Sequence, residues 1–148
     1  MKVRIKRVDV KLPLPVYETG GSVGFDIMAR TDCKIAPRSL AFIPSNLIVE
    51  TPKNYMLVLA LRSSAPKKKG LIKPHGIGII DGDYCGPEDE IKIQVYNFTD
   101  ASVTVRRGEK IAQGVFVKIG KAVWREIKEA RKKTRGGFGS TGGYRQNF

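Results

Sequence analysis

The chain of 148 residues is long enough for one domain with a real core, and it has no apolar run able to span a bilayer. Its start, Met1-Lys2-Val3-Arg4-Ile5, lacks the apolar stretch of a signal peptide, and Cys33 and Cys85 show neither zinc spacing nor a disulfide framework; together these predict a soluble, cytoplasmic protein with free thiols. The net charge of +13 implies an anionic partner (nucleic acid, nucleotide or phosphate), and the 14 acids are too few for the ion-pair networks of a heat-adapted surface.

Val3, Ile5, Val8, Val10 and Leu12 alternate with polar residues, broken by one extra residue at Lys6-Arg7. The pattern predicts a half-buried strand with a bulge. Pro13, Pro15, Gly20 and Gly21 mark an irregular loop, and Gly24 to Ala29 resume β character. Pro37 and Pro44 bracket a short apolar run. Leu47-Ile48-Val49 and Tyr55 to Leu61 read as strands separated by a Pro52-Lys53-Asn54 turn. Gly78-Ile79-Ile80 enters Asp81-Gly82-Asp83-Tyr84-Cys85-Gly86, whose turn chemistry predicts a tight hairpin into Ile91 to Tyr96. Ser102 to Val105 and Ile111 to Ile119 add strands. Many short strands between turns predict an all-β sandwich or barrel. Ala122 to Lys133 is open between helix and strand, with Val123, Ile127 and Ala130 at helical spacing. We divide the chain into one β domain, 1–133, and a glycine-rich arm, 134–148, without periodicity. There is no internal repeat or domain linker.

Candidate sites sit beside plainer alternatives. Asp81, at the mouth of the predicted hairpin, suits a general base, or it is an ordinary charged turn residue. Arg62-Ser63-Ser64-Ala65 offers a guanidinium, two hydroxyls and turn amides to a polyphosphate, or it is a solvated turn. Lys67-Lys68-Lys69 is a solvated run that can also enrich anions locally. His75, the only histidine, has no companion for a metal and precedes Gly76 in a loop. Gln113, within a β run, can address an ordered water or a phosphate oxygen, and a surface glutamine is its default. Gly137-Phe138-Gly139-Ser140-Thr141-Gly142 matches G-x-G-x-x-G, but only six residues follow, too few for the helix a dinucleotide site needs. It reads instead as an arm able to close over a nucleotide. Phe138 would stack on a base for about 1–3 kcal/mol, and Arg135 and Ser140 would meet phosphates.

Gly24-Phe25-Asp26-Ile27, Arg62-Ser63-Ser64, Gly78 to Gly86, Gly108 to Gln113 and Gly137 to Gly142 stand in one order over nearly the whole chain. That order resembles the five motifs of the trimeric dUTPases. The resemblance implies a jelly-roll-like β-barrel of the dUTPase β-clip type. It also implies a homotrimer with sites shared between subunits, and hydrolysis of dUTP to dUMP and pyrophosphate with Mg2+. By that resemblance Asp81 activates the water, and Tyr84 packs under the deoxyribose and excludes a 2′-hydroxyl. Backbone groups along Ile77, Ile79 and Ile80 and near Lys92 read uracil. Arg62, Ser63 and Ser64 hold phosphates, and Asp26 and Gln113 reach the substrate or its Mg2+ through water. Phe138, Gly139 and Ser140 close the site from the arm. Arg135 lies three residues before Phe138 and Lys133 five, so the γ-phosphate contact is open between them. Gly86 to Glu90 lengthens the hairpin, and His75 stands where some relatives place a base-contacting asparagine.

Two other classes compete. A dCTP deaminase shares the Arg-Ser-Ser segment and the barrel, but the Asp81-to-Tyr84 pattern and the Phe138 arm argue against it. A basic β-barrel binding nucleic acid would interleave several aromatics with basic residues on its strands, whereas Tyr96, Phe98 and Phe116 are expected to lie in strands and serve the core. The excess charge is better read as a field steering a polyanionic nucleotide. No stable nucleic-acid partner and no membrane are expected.

Overall fold

The computed structural model describes residues 1–130, 132–134 and 136. Among these residues, eleven strands and one short helix form in the order β1 (Arg4–Arg7), β2 (Phe25–Met28), β3 (Cys33–Ile35), β4 (Leu40–Pro44), β5 (Leu47–Glu50), β6 (Tyr55–Leu61), α1 (Ala65–Lys69), β7 (Leu71–Ile72), β8 (Gly78–Ile80), β9 (Lys92–Asn97), β10 (Val103–Val105) and β11 (Lys110–Lys118). All pairings are antiparallel. One sheet runs β2-β11-β6-β8 and another β4-β9-β7; β1 pairs β5, and β3 pairs β10. The all-β expectation holds.

The two larger sheets turn alternate residues inward, as the period of two demands. Leu57 and Leu59 of β6, Ile93 and Val95 of β9, and Ile27 of β2 are almost wholly buried. Asn97 is buried too, and satisfies its amide by donating to the carbonyls of Ile35, Ala36 and Ala101 and accepting from Thr99. It thereby ties the end of β9 to the connections beside it. Where β2 crosses β11, Gly114 leaves room for the Phe25 ring; a Cβ there would lie 2.4 Å from it. Phe25 in turn meets Phe116 at 5.6 Å between centroids and Tyr17 edge-on at 5.9 Å.

Several sequence expectations are corrected. The first strand ends at Arg7, because Asn46 captures the next turn. Its carbonyl accepts from Val8 N at 3.0 Å and its side chain from Asp9 N at 2.6 Å. Val10 is left 72% exposed. The predicted hairpin is not a laddered pair: β8 pairs β6, whereas β9 pairs β4 and β7. The intervening segment crosses between sheets and is stiffened locally, Gly86 N donating to Asp89 Oδ2 at 2.7 Å. Burial of Ile91, Ile93 and Val95 draws β9 into the second sheet. The turn after β6 continues into α1, which closes at Gly70 with φ +63°. Phe98 follows β9 rather than lying in it, and is exposed; Phe116 packs on the core as expected. The described part of 122–133 is neither helix nor strand, and Val123 and Trp124 are 97% and 90% exposed. Helical spacing stabilises nothing when no face of the chain receives its apolar stripe.

Candidate active site

One group of predicted residues gathers where β6 ends. Arg62 N donates to Ile111 O at 3.1 Å, which anchors the turn to β11. Asp26, buried in β2, sits directly opposite Gln113 of β11, and Gln113 sits opposite Ala60 of β6. The register therefore brings Asp26, Gln113 and Arg62 together across three adjacent strands. Arg62 Nε lies 3.5 Å from Asp26 Oδ1, and Lys110 Nζ lies 3.2 Å from Oδ2. Lys110 also pairs with Glu18, and that bond, ahead of its contacts with Asp26, holds the ammonium above its ordinary pKa. Despite the nearby ammonium, Asp26 Oδ2 is buried without hydrogen-bond geometry to any described group. Ser64 caps α1 with its backbone only, leaving its hydroxyl free of a capping bond. Arg62, Ser64, Lys68, Gly108 and Lys110 line a common cleft. A polar, cation-bearing cleft of this kind suits an oxyanion.

A second group gathers beside the start of β6. Asp81 follows β8 and faces a recess shared with Ile79, Ile80, Tyr84, Lys92 and Phe42. Asp81 is exposed, and no described side chain hydrogen-bonds to its carboxylate or pairs with it. It is thus free to accept a proton from water. Tyr84 is 40% exposed, its hydroxyl 3.5 Å from the carbonyl of Glu90. Ile79 and Phe42 present apolar surface at 57% and 61% exposure. The recess pairs one carboxylate with a ring and branched side chains, a setting for a base or sugar face.

Ile80 pairs with Leu57, so Asp81 lies near the start of β6 and Arg62 beyond its end. At a rise of 3.3 Å per residue the interval along the strand is about 17–20 Å. The two groups therefore do not meet within one chain. His75 and Ile77 precede β8, on the side away from Asp81, and do not line its recess. The His75 ring donates through Nδ1 to the carbonyl of Ile77 at 2.7 Å, and both side chains are exposed. Ser63 is exposed at the turn before α1. Arg135, Phe138, Gly139 and Ser140 lie outside the described residues, and Lys133 is exposed. Sequence reasoning missed Phe42 and the Lys110–Glu18–Asp26 contact. The first had a signal in the apolar run between the prolines; the second depends on strand register, which no local motif carries. Among the described residues no three His, Cys, Asp or Glu side chains gather into a metal cage.

Comparison with known proteins places these features in one context. The family model described as dUTPase matches residues 10–142. A protein named deoxyuridine 5′-triphosphate nucleotidohydrolase in Lactococcus lactis is 37% identical over 150 residues, covering 96% of this chain and 99% of its own. Its namesake in Dictyoglomus turgidum is 32% identical with the same coverage. Among solved structures, a dUTPase from Streptococcus mutans aligns with a TM-score of 0.75 at 29% identity, over 81% of this chain and 98% of that one. A Staphylococcus bacteriophage 80alpha dUTPase, solved with dUpNHpp, aligns with a TM-score of 0.84 over 95% and 98%; its 23% identity speaks to the fold.

Proposed function

The chain belongs to the dUTPase family, and from that premise we propose that it hydrolyses dUTP to dUMP and pyrophosphate in sites assembled from three copies. The observation in this chain that carries the reading is the opposition of its two clefts. One holds an unpaired carboxylate beside an aromatic ring; the other holds cations and the Ser64 hydroxyl; β6 keeps them apart. A closed ring of copies lets the carboxylate cleft of one face the cation cleft of the next.

In that assembly Asp81 takes a proton from water as its oxygen bonds to the α-phosphorus. The bond from that phosphorus to the bridging oxygen of the β-phosphate breaks, and pyrophosphate leaves. Such chemistry needs alignment and charge compensation more than covalent help from protein. Arg62 and Ser64 hold the phosphates from the cleft wall and Ser63 from the turn beside it, and Gln113 reaches them through water. Tyr84 underlies the deoxyribose and leaves no room for a 2′-hydroxyl. The backbone of Ile77 to Ile80 and the start of β9 at Lys92 read the uracil edge, with His75 beside them. Cytosine reverses a donor–acceptor pair and leaves buried groups unpaired; thymine is excluded by its methyl group. Phe138 caps the base from the arm of a third copy, while Gly139, Ser140 and either Arg135 or Lys133 close on the phosphates.

Mg2+ fits this site as an ion carried by the substrate. Magnesium retains waters and favours substrate phosphates over protein cages. Asp26 Oδ2, buried and lacking a hydrogen bond, offers an acceptor to its water shell. When bound, the ion neutralises charge on the triphosphate.

No helix among the described residues is long and apolar enough to cross a membrane. The reaction implies work in the cytoplasm, limiting uracil in DNA and supplying dUMP for thymidylate synthesis. The dCTP-deaminase and nucleic-acid-module readings have no support in the family match. A pyrophosphate-release assay across dUTP, dTTP, dCTP and UTP tests the proposal: turnover of dUTP alone is expected, with no ammonia from dCTP. Equal turnover of UTP or dCTP would overturn it.

A further inference from the structure

The reading above leaves the lysines of the cleft beyond β6 without a role, and one of them, Lys68, has no carboxylate partner among the described residues. Ser64 and Lys68 are one helical turn apart, Lys68 N donating to Ser64 O at 2.9 Å, so their side chains share a face of α1. That face forms the cleft wall with Arg62, whereas Ser63 and Lys67, one position round the turn, do not line it.

The other cations of the wall are committed. Lys69 Nζ is 2.9 Å from Glu109 Oε1 and donates to Thr104 O at 3.0 Å. Lys110 pairs with Glu18 and Asp26, and Arg62 stands 3.5 Å from Asp26. Lys68 is exposed, and no described carboxylate lies within ion-pair distance of it. An exposed ammonium on the same cleft wall as an arginine and a serine, with no described carboxylate paired to it, is available to an incoming anion. A doubly charged terminal phosphate suits such a wall best.

We propose that Lys68 is a substrate-binding residue whose ammonium holds the terminal phosphates of the nucleotide, and that free pyrophosphate occupies the same position. The assignment rests on the dUTP-hydrolysing reading for the identity of the nucleotide, but the anion contact can be read without turnover.

The test is calorimetric titration of the full chain with inorganic pyrophosphate. Lys68→Ala should weaken the Kd about tenfold, the loss of one charge-assisted contact. Lys68→Arg should restore most of it, and Lys67→Ala should bind as the unmutated chain does. In steady state, Lys68→Ala should raise the KM for dUTP with kcat held, the mark of a contact made equally in ground and transition states. Inhibition by dUMP, which lacks the distal phosphates, should not change, and this reports that the variant is folded. Equal pyrophosphate affinity in Lys68→Ala and Lys67→Ala, or no measurable binding to the unmutated chain, overturns the assignment. A failure of dUTP hydrolysis alone would remove the reaction and leave the titration to decide the anion contact.

Discussion

Asp81 and Arg62 stand at opposite ends of β6, one beside its first turn of chain and the other just past Leu61. On the proposed reaction, the water at the α-phosphorus and the arginine gripping the same triphosphate lie a few bond lengths apart, which requires the two residues to come from different copies. Neither Asp81→Asn nor Arg62→Ala should turn over dUTP alone. Refolded together at equal amounts, they should recover about a quarter of the unmutated activity, the share of sites drawing both residues from intact partners. No recovery in a verified mixed oligomer would sink the shared-site arrangement.

Asp81 has no partner among the described residues and is exposed. Asp81→Asn keeps the shape and removes the proton acceptor. Its kcat should fall at least about hundredfold with little change in melting temperature. A variant retaining most of its rate would show that the base lies elsewhere.

His75 donates to the carbonyl of Ile77, which orients the ring and leaves Nε2 free for the base contact proposed above. His75→Ala should raise the KM for dUTP by about three- to tenfold, the loss of one hydrogen bond. An unchanged KM removes His75 from the site and leaves it a turn residue.

Lys73 packs against Gly78, its Nζ 3.4 Å from where a Cβ would stand, and burial lowers its pKa. A lysine whose folded value is depressed penalises the fold while it is charged. The penalty is present below the folded pKa and disappears as pH rises through the folded value to the ordinary one. Lys73→Met should therefore raise the melting temperature at neutral pH and flatten its rise toward alkaline pH. Thermal unfolding across pH 7 to 10 reads both; a lower melting temperature at pH 7 would show that the ammonium has a partner when folded.

Glu90 accepts from Arg30 Nε and Nη2 at 2.8 and 2.9 Å and from Asn46 N at 2.8 Å, and the pairing raises the Arg30 pKa, through the hydrogen bond first. Removing the carboxylate strands a half-buried guanidinium and an amide. Glu90→Ala should cost about 3 kcal/mol in denaturant unfolding.

Much of this was legible along the chain. β6 runs from Tyr55 to Leu61, the span read from its apolar content and the turn before it. The order of the five motifs pointed to the family that the comparisons show. The errors share one cause. The segment after Asp81 carries hairpin residues, yet β8 and β9 join different sheets, since a strand pairs where its buried face finds partners, at any sequence distance. Val8 to Leu12 has strand alternation, yet Asn46, far along the chain, takes its hydrogen bonds.

By itself the amino-acid sequence determined the β class and the side-chain chemistry on offer, because propensity, turn preference and side-chain type act over a few residues. Only the tertiary structure decided which of those residues meet. It joined Asp26 to Arg62, Gln113 and Lys110, set Asp81 apart from them, and left Lys68 without a counter-charge among the described residues. Those outcomes follow from strand register and sheet membership, which are settled by burial summed over the whole core.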